Sequence, residues 1–304
     1  MPYRVTQGMM SSQLMRNLNA NLHRMDKWQN QMSTGRKINA PSDDPVGITF
    51  SMRYRSELTA NDQYQRNVDS AVSWLDYTDT TMNQAGSVLQ RLRELAVNGS
   101  NGTNPDTAMK SIQSEVGELY NQMIDIANST FNGKAVFNGQ NTTQAPYPKT
   151  GIADLDLSTL KPADSGEIKY EVGAGIKMPI NVNGNEVFGG TTETDSIFQI
   201  FKELHTALGS SDYSAVSSLI GKIDSRNDKF LETRSQVGAR MNRIDLIQGR
   251  LADININLQS LQSKTEDADM AEVITNMKMD ENVYQASLSV GSKLIQPSLV
   301  DFLR

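Results

Sequence analysis

The residues that could do chemistry in this chain are few and scattered. His23 and His205 are its two histidines, the side chains best suited to act as a base or a metal ligand near neutral pH. Each falls in a helical pattern without a second ligand at metal-binding spacing, so both read as structural or surface residues. Ser158-Thr159-Leu160-Lys161 satisfies the S-x-x-K pattern of an acylated serine, but no S-D-N or K-T-G accompanies it. Gly173-Ala174-Gly175 would need a glycine at 178 to cradle a dinucleotide, and that position is Met178. Asn181, Asn183 and Asn185 alternate like calcium-loop ligands, yet the carboxylates are missing and the glycine is misplaced, so a solvated turn is the better reading. Four Asn-x-Ser/Thr sequons, at Asn98, Asn101, Asn128 and Asn141, are what an Asn-, Ser- and Thr-rich chain produces by chance. These residues give no catalytic, cofactor or metal site, and an enzyme is not expected.

What the spacing does organise is apolar. Met15, Leu18, Leu22, Met25 and Met32 recur at a 3.5-residue period, a narrow seam along one helix. The other end carries a similar series, Ile274, Met277, Tyr284, Leu288 and Ile295, followed by Leu299, Val300, Phe302 and Leu303. Residues 1–40 hold six Lys/Arg against Asp26 alone, whereas 264–304 hold seven Asp/Glu against four Lys/Arg. The two ends are therefore expected to pair as oppositely charged coiled-coil arms. Their apolar faces exceed what one pair of helices can cover, which implies further subunits. Most of the 15 methionines sit on such seams, where a flexible thioether fills gaps.

Proline and glycine punctuate the rest. Four of nine prolines (Pro146, Pro148, Pro162, Pro179) crowd the middle, and none lies between Ile180 and Gln296. Asp44-Pro45 and Asn104-Pro105-Asp106 each read as an N-cap before a first-turn proline. One helix is expected from about Pro45 to Val97, with Val68, Val72, Leu75, Met82, Leu89 and Ala96 on its seam. A second, with Met109, Ile112, Val116, Leu119, Met123 and Ile126, is expected to stop at Asn132-Gly133, which turns a short hairpin. Alternation at Ile168, Tyr170 and Val172, and from Ile176 to Val182, predicts strands, with Val187-Phe188 returning from a turn at Asn183-Gly184. Ser196 with Gln199 forms a capping-box pattern for a short helix to Leu208. A long helix then runs from near Ser214 to Glu266, seamed by Val237, Met241, Ile244, Leu251, Ile254, Leu258 and Leu261.

The expected fold is thus mainly α: an elongated helical rod of paired terminal coiled-coil arms and an antiparallel helical bundle, with a small inserted β module. The boundaries drawn are arms at 1–42 and 264–304, a rod with its hairpin at 43–139 and 191–263, and an insert at 140–190. A net charge of −6 with no basic run argues against nucleic acid. No stretch approaches the length of a membrane span, and Met1-Pro2-Tyr3-Arg4-Val5 opens no apolar signal core. The absence of cysteine leaves the compartment open.

Several longer motifs are specific. Gln31-Met32-Ser33-Thr34-Gly35-Arg36-Lys37-Ile38-Asn39 with Ser42-Asp43-Asp44-Pro45 resembles the N-terminal signature of the flagellin family. Ser235-Gln236-Val237-Gly238-Ala239-Arg240-Met241-Asn242-Arg243-Ile244 is similar to its C-terminal counterpart, and Thr265 to Glu272 with Tyr284-Gln285-Ala286-Ser287 extends the likeness. Gly35, Asn39, Asp43, Asp44, Pro45, Gly238, Asn242 and Arg243 carry the motif positions. Asp43-Asp44-Pro45-Val46-Gly47 and the ending Ser298 to Leu303 depart from the usual flagellin pattern and look like the hook-filament junction members of the family.

The resemblance implies a structural, non-enzymatic subunit without a cofactor, exported through the flagellar type III apparatus without a cleaved signal peptide. It implies self-assembly into a ring, with the first hook-associated protein, flagellin and an export chaperone as partners, and neither nucleic acid nor membrane. The assembly residues would be Leu18, Leu22, Met25, Met32, Met277, Tyr284, Leu288, Ile295, Leu299 and Phe302. A minor flagellin is the alternative, and an intracellular coiled-coil adaptor a more distant one.

Overall fold

The computed structural model describes residues 7–155, 162–190 and 193–294. Among them are seven α-helices and two two-stranded antiparallel sheets, in the order α1 (Gln7–Thr34), α2 (Pro45–Gly99), α3 (Asp106–Ala127), β1 (Thr130–Phe131), β2 (Lys134–Ala135), β3 (Lys169–Gly173), β4 (Ile176–Pro179), α4 (Gly184–Phe188), α5 (Ile197–Gly209), α6 (Tyr213–Glu266) and α7 (Met270–Leu294). The protein is mainly α. Its chain divides into two compact units, residues 61–253 and residues 1–60 with 254–304.

The unit of 61–253 has a conventional core. The α2 seam buries Val68, Leu75, Met82, Leu89 and Ala96 with Met109, Val116 and Met123 of α3, Phe201 and Leu204 of α5, and Val216, Phe230, Val237 and Ile244 of α6. Tyr120 stands edge-on to Phe201 at 5.9 Å between ring centres, and Phe137 to Phe188 at 5.2 Å. Burying each ring removes apolar surface worth about 1.5–3 kcal/mol. Val172, Met178, Ile180, Val187 and Phe188, from the stretch read as an insert, belong to this same apolar cluster.

Local chemistry explains where elements depart from the expected pattern. Asn132 (φ 50°) and Gly133 (φ 75°) turn the β1–β2 hairpin as expected, but α3 ends earlier, at Ala127, where the Asn128 N–H closes on Ile124 O. Asn183-Gly184 does not turn a hairpin: the Asn183 side chain accepts from the Asn185 N–H and caps the single turn α4, so Val187-Phe188 are helical. Asn181 and Asn185 hydrogen-bond backbone groups of neighbouring segments (Ile168 and Gly166; Ala163), which accounts for the alternating asparagines. Pro105 is itself the cap of α3, and the Asn104 amide donates to Asn98 O instead of capping. Ser196 precedes α5 but its hydroxyl makes no capping bond. Ser158 to Lys161 lie outside the described residues.

A buried ion cluster completes this unit. Arg226 of α6, 1% exposed, donates to Asp195 O at 2.8 Å and Asp195 Oδ1 at 2.8 Å, and pairs with Glu193. Lys229 Nζ lies 2.8 Å from Asp195 Oδ2, and Ser225 Oγ donates to the same oxygen. Burial alone would raise the Asp195 pKa, but Lys229, Arg226 and Ser225 outweigh it and hold the carboxyl at about 2.

Candidate assembly surface

In the unit made from the termini, α1 and α7 pack together and run antiparallel, with Leu14 beside Gly291, Asn21 beside Asp280 and Gly35 beside Ala268. The less exposed residues of α1 recur as Leu14, Leu18, Asn21, Met25, Trp28 and Gln31. Those of α7 include the row Val273, Met277, Asp280, Tyr284, Ser287 and Gly291, with Asn276 and Glu281 beside it. Both rows advance by steps of three and four residues, which keep one face toward a partner helix. A methyl on Gly291 would come within 2.7 Å of Leu14 Cδ2, so the helices approach closely there. The middle of the seam is polar. Asn21 Nδ2 donates to Asp280 O at 2.9 Å, Trp28 Nε1 to Asp280 Oδ2 at 3.0 Å, and Arg24 pairs with the same carboxylate at 3.2 Å.

The apolar series read from the sequence is therefore divided between two faces. Leu18, Met25, Met277 and Tyr284 turn toward the intramolecular pair, whereas Leu22, Met32 and Leu288 are exposed. Met15 and Ile274 stand outward as well, as do Ile254 and Leu261 at the end of the α6 series. Ile295, Leu299 and Phe302 lie outside the described residues. Among the described residues, every exposed large apolar side chain except Val97, Leu231 and Leu246 belongs to this unit, including Val46, Phe50 and Met52 on the first turns of α2. Of the buried apolar side chains among the described residues, only Ile38, Leu258 and Val273 lie in it.

The N-terminal motif residues build the corner that connects these helices. Gly35 ends α1 with φ 69°, a left-handed conformation that favours glycine. Asn39 Nδ2 donates back to Arg36 O. Asp43 accepts the N–H groups of Ala40 and Asn39, and the Ala40 bond, aided by Asn39 and by Lys27 at 3.5 Å, outweighs burial and lowers its pKa. Asp44 caps α2 through the N–H groups of Val46 and Gly47, and Pro45 takes the first helical position. A methyl added at Gly47 would strike the capping Asp44 carboxylate and come 2.6 Å from Ile38 Cδ1, so those side chains would have to shift. Gly238, Asn242 and Arg243 lie on α6 in the other unit, Gly238 half-buried and the other two exposed.

Sequence reasoning missed Glu266, the buried acid at this corner, with its donors Ser51 and Arg55. The available signal was an acidic residue ending a long helix directly before the breaker Asp267-Ala268-Asp269. It also missed Asn21, Gln31 and Asp280, whose polarity hides the inner seam from any count of apolar spacing. His23 is exposed and His205 half-buried, its pKa lowered by burial. Among the described residues no helix is long and apolar enough to cross a membrane.

The chain belongs to the flagellin family: residues 5–142 match the bacterial flagellin N-terminal helical region, and 220–303 the bacterial flagellin C-terminal helical region. It is 28% identical to a flagellin of Halalkalibacterium halodurans, covering 90% of this chain and 88% of that one. It is 28% identical to the flagellar filament core protein flaB2 of Brachyspira hyodysenteriae, over 85% and 84% of the two chains. In fold it is similar to the flagellar hook-associated protein-3 of Legionella pneumophila (TM-score 0.62, 17% identity, 70% of this chain and 98% of that one). It is also similar to FlgL of Bacillus cereus (TM-score 0.58, 18% identity, 69% and 99%). It is a flagellar structural protein.

Proposed function

We propose that this chain forms the junction between hook and filament, joining the first hook-associated protein to the first layer of flagellin as a ring of identical subunits. The observation that carries assembly through the terminal helices is the concentration of exposed apolar side chains on α1 and α7, with almost no buried core beneath them. Arms at 1–42 and 264–304 gain their missing partners only when subunits stack, which couples ordering to assembly. Asp44-Pro45 and the ending Ser298 to Leu303 support the junction over the filament, as does the fold likeness to junction proteins. On this reading the subunit leaves the cell through the flagellar type III apparatus without cleavage, its C-terminal arm covered by an export chaperone.

A second reading, a minor filament subunit, is favoured by the flagellin and filament-core names of the relatives aligned over most of the chain. Deletion separates the two. Loss of the junction leaves hooks without filaments and flagellin monomers in the medium, whereas loss of a minor filament subunit leaves filaments attached.

A further inference from the structure

Glu266 is the last residue of α6 and is 1% exposed, in the unit that has almost no apolar core. Its carboxylate gathers three stretches of chain. Arg55 of α2 donates through Nε at 2.8 Å and Nη2 at 2.6 Å, Ser51 one turn earlier donates its hydroxyl, and Arg36, just past α1, lies 3.5 Å away. Gln262 adds a donor from α6 itself at 3.4 Å. The backbone repeats the tie: Lys37 N–H donates to Glu266 O at 2.6 Å, and Ala268 N–H to Gly35 O at 3.0 Å. Residues 36 and 266, at the roots of the two terminal helices, are thereby fixed to each other and to α2.

We infer that Glu266 is the positioning residue that locks the roots of α1 and α7 in one arrangement, so that their outward apolar rows are presented together for assembly. The physical reason is the missing core. Elsewhere in the chain packing fixes helix directions, but among the described residues of this unit the only buried apolar side chains are Ile38, Leu258 and Val273, and a multiply bonded carboxylate supplies the directional constraint. Burying such a group is unfavourable unless all its donors are present, so the corner closes as a unit or not at all. Arg55 and Arg36 bring the positive charge, while Ser51 and Gln262 fill the remaining acceptor sites.

The inference rests on the assembly reading for its consequence but not for its mechanism, and the test separates the two. Hydrogen exchange on the free full-length chain is compared for wild type, Glu266→Gln and Ser51→Ala, alongside filament attachment in cells carrying each variant and Leu288→Asp. In Glu266→Gln, protection of residues 7–34 and 270–294 should fall by more than about tenfold while exchange in α3 and α5 is unchanged. Ser51→Ala should give a smaller loss in the same segments. Unchanged exchange in Glu266→Gln overturns the lock. If that variant unfolds throughout, Ser51→Ala decides: a loss confined to the terminal helices supports the lock, and none overturns it. Lost attachment in both Glu266→Gln and Leu288→Asp supports the full chain of inference. Attachment retained in Glu266→Gln but lost in Leu288→Asp overturns only the link from lock to assembly, whereas attachment retained in both overturns the assembly reading.

Discussion

Two units of one chain solve the problem of burial in opposite ways. Residues 61–253 enclose Tyr120, Phe137, Phe188, Phe198 and Phe201 with the α2, α3 and α6 seams, and leave little apolar surface outside. The terminal unit instead pairs α1 with α7 around Asn21, Trp28 and Asp280, fixes its corner with Glu266, and turns Met15, Leu22, Ile274 and Leu288 outward. The first unit is stable by hydrophobic burial within the chain. The second uses directional polar contacts to hold a geometry and leaves its apolar side chains exposed; on the proposed reading other subunits cover them, and its helices belong to the low-stability end of the molecule until assembly.

The comparison can be broken most severely in the cored unit. Phe201→Ala removes a fully buried ring and should cost about 3–5 kcal/mol, read as a lower urea midpoint of the free chain. Arg226→Leu should cost about 3 kcal/mol in the same measurement, because the buried Asp195 loses one guanidinium donor from its carboxylate and one from its backbone carbonyl. Acid probes the same cluster. The Asp195 pKa is depressed from 3.8 to about 2, so its contribution is fully present above pH 3.8 and is lost as pH falls through about 2. A urea midpoint that declines across this window in wild type, and declines less in Asp195→Asn, is the expected result. The smallest effect is expected in the other unit: Leu288→Asp, at a side chain 47% exposed, should change the free chain's stability by no more than about 0.5 kcal/mol of helix propensity while abolishing attachment.

Much of this architecture is legible in the residues. Pro45 and the Asn98-Gly99-Ser100-Asn101-Gly102 string bound α2, Asn132-Gly133 turns its hairpin, and the stretch free of proline after Ile180 holds α6 to Glu266. The pairing of the two ends follows from their charge and period. What was not legible is which of two adjacent rows faces the partner. Met15-Leu22 and Leu14-Asn21 both satisfy a 3.5-residue period, and apolarity selects the first although the structure turns the second inward. The inner row carries Asn21 and Gln31 because their amides reach Asp280 O and Lys37 O, bonds that exist only once the partner segments are in place. Asn183-Gly184 shows the same limit at short range, since the dipeptide suits a hairpin but the Asn185 N–H draws its side chain into a cap.

Hydrogen exchange of the wild-type chain before and after incorporation into flagella decides whether neighbouring subunits complete the terminal helices. Residues 7–34 and 270–294 are expected to exchange far faster than α3 and α5 in the dilute free chain, and to become as protected as those helices in the assembled structure. Terminal helices already as protected as α5 in the free chain, or still unprotected after incorporation, would contradict it.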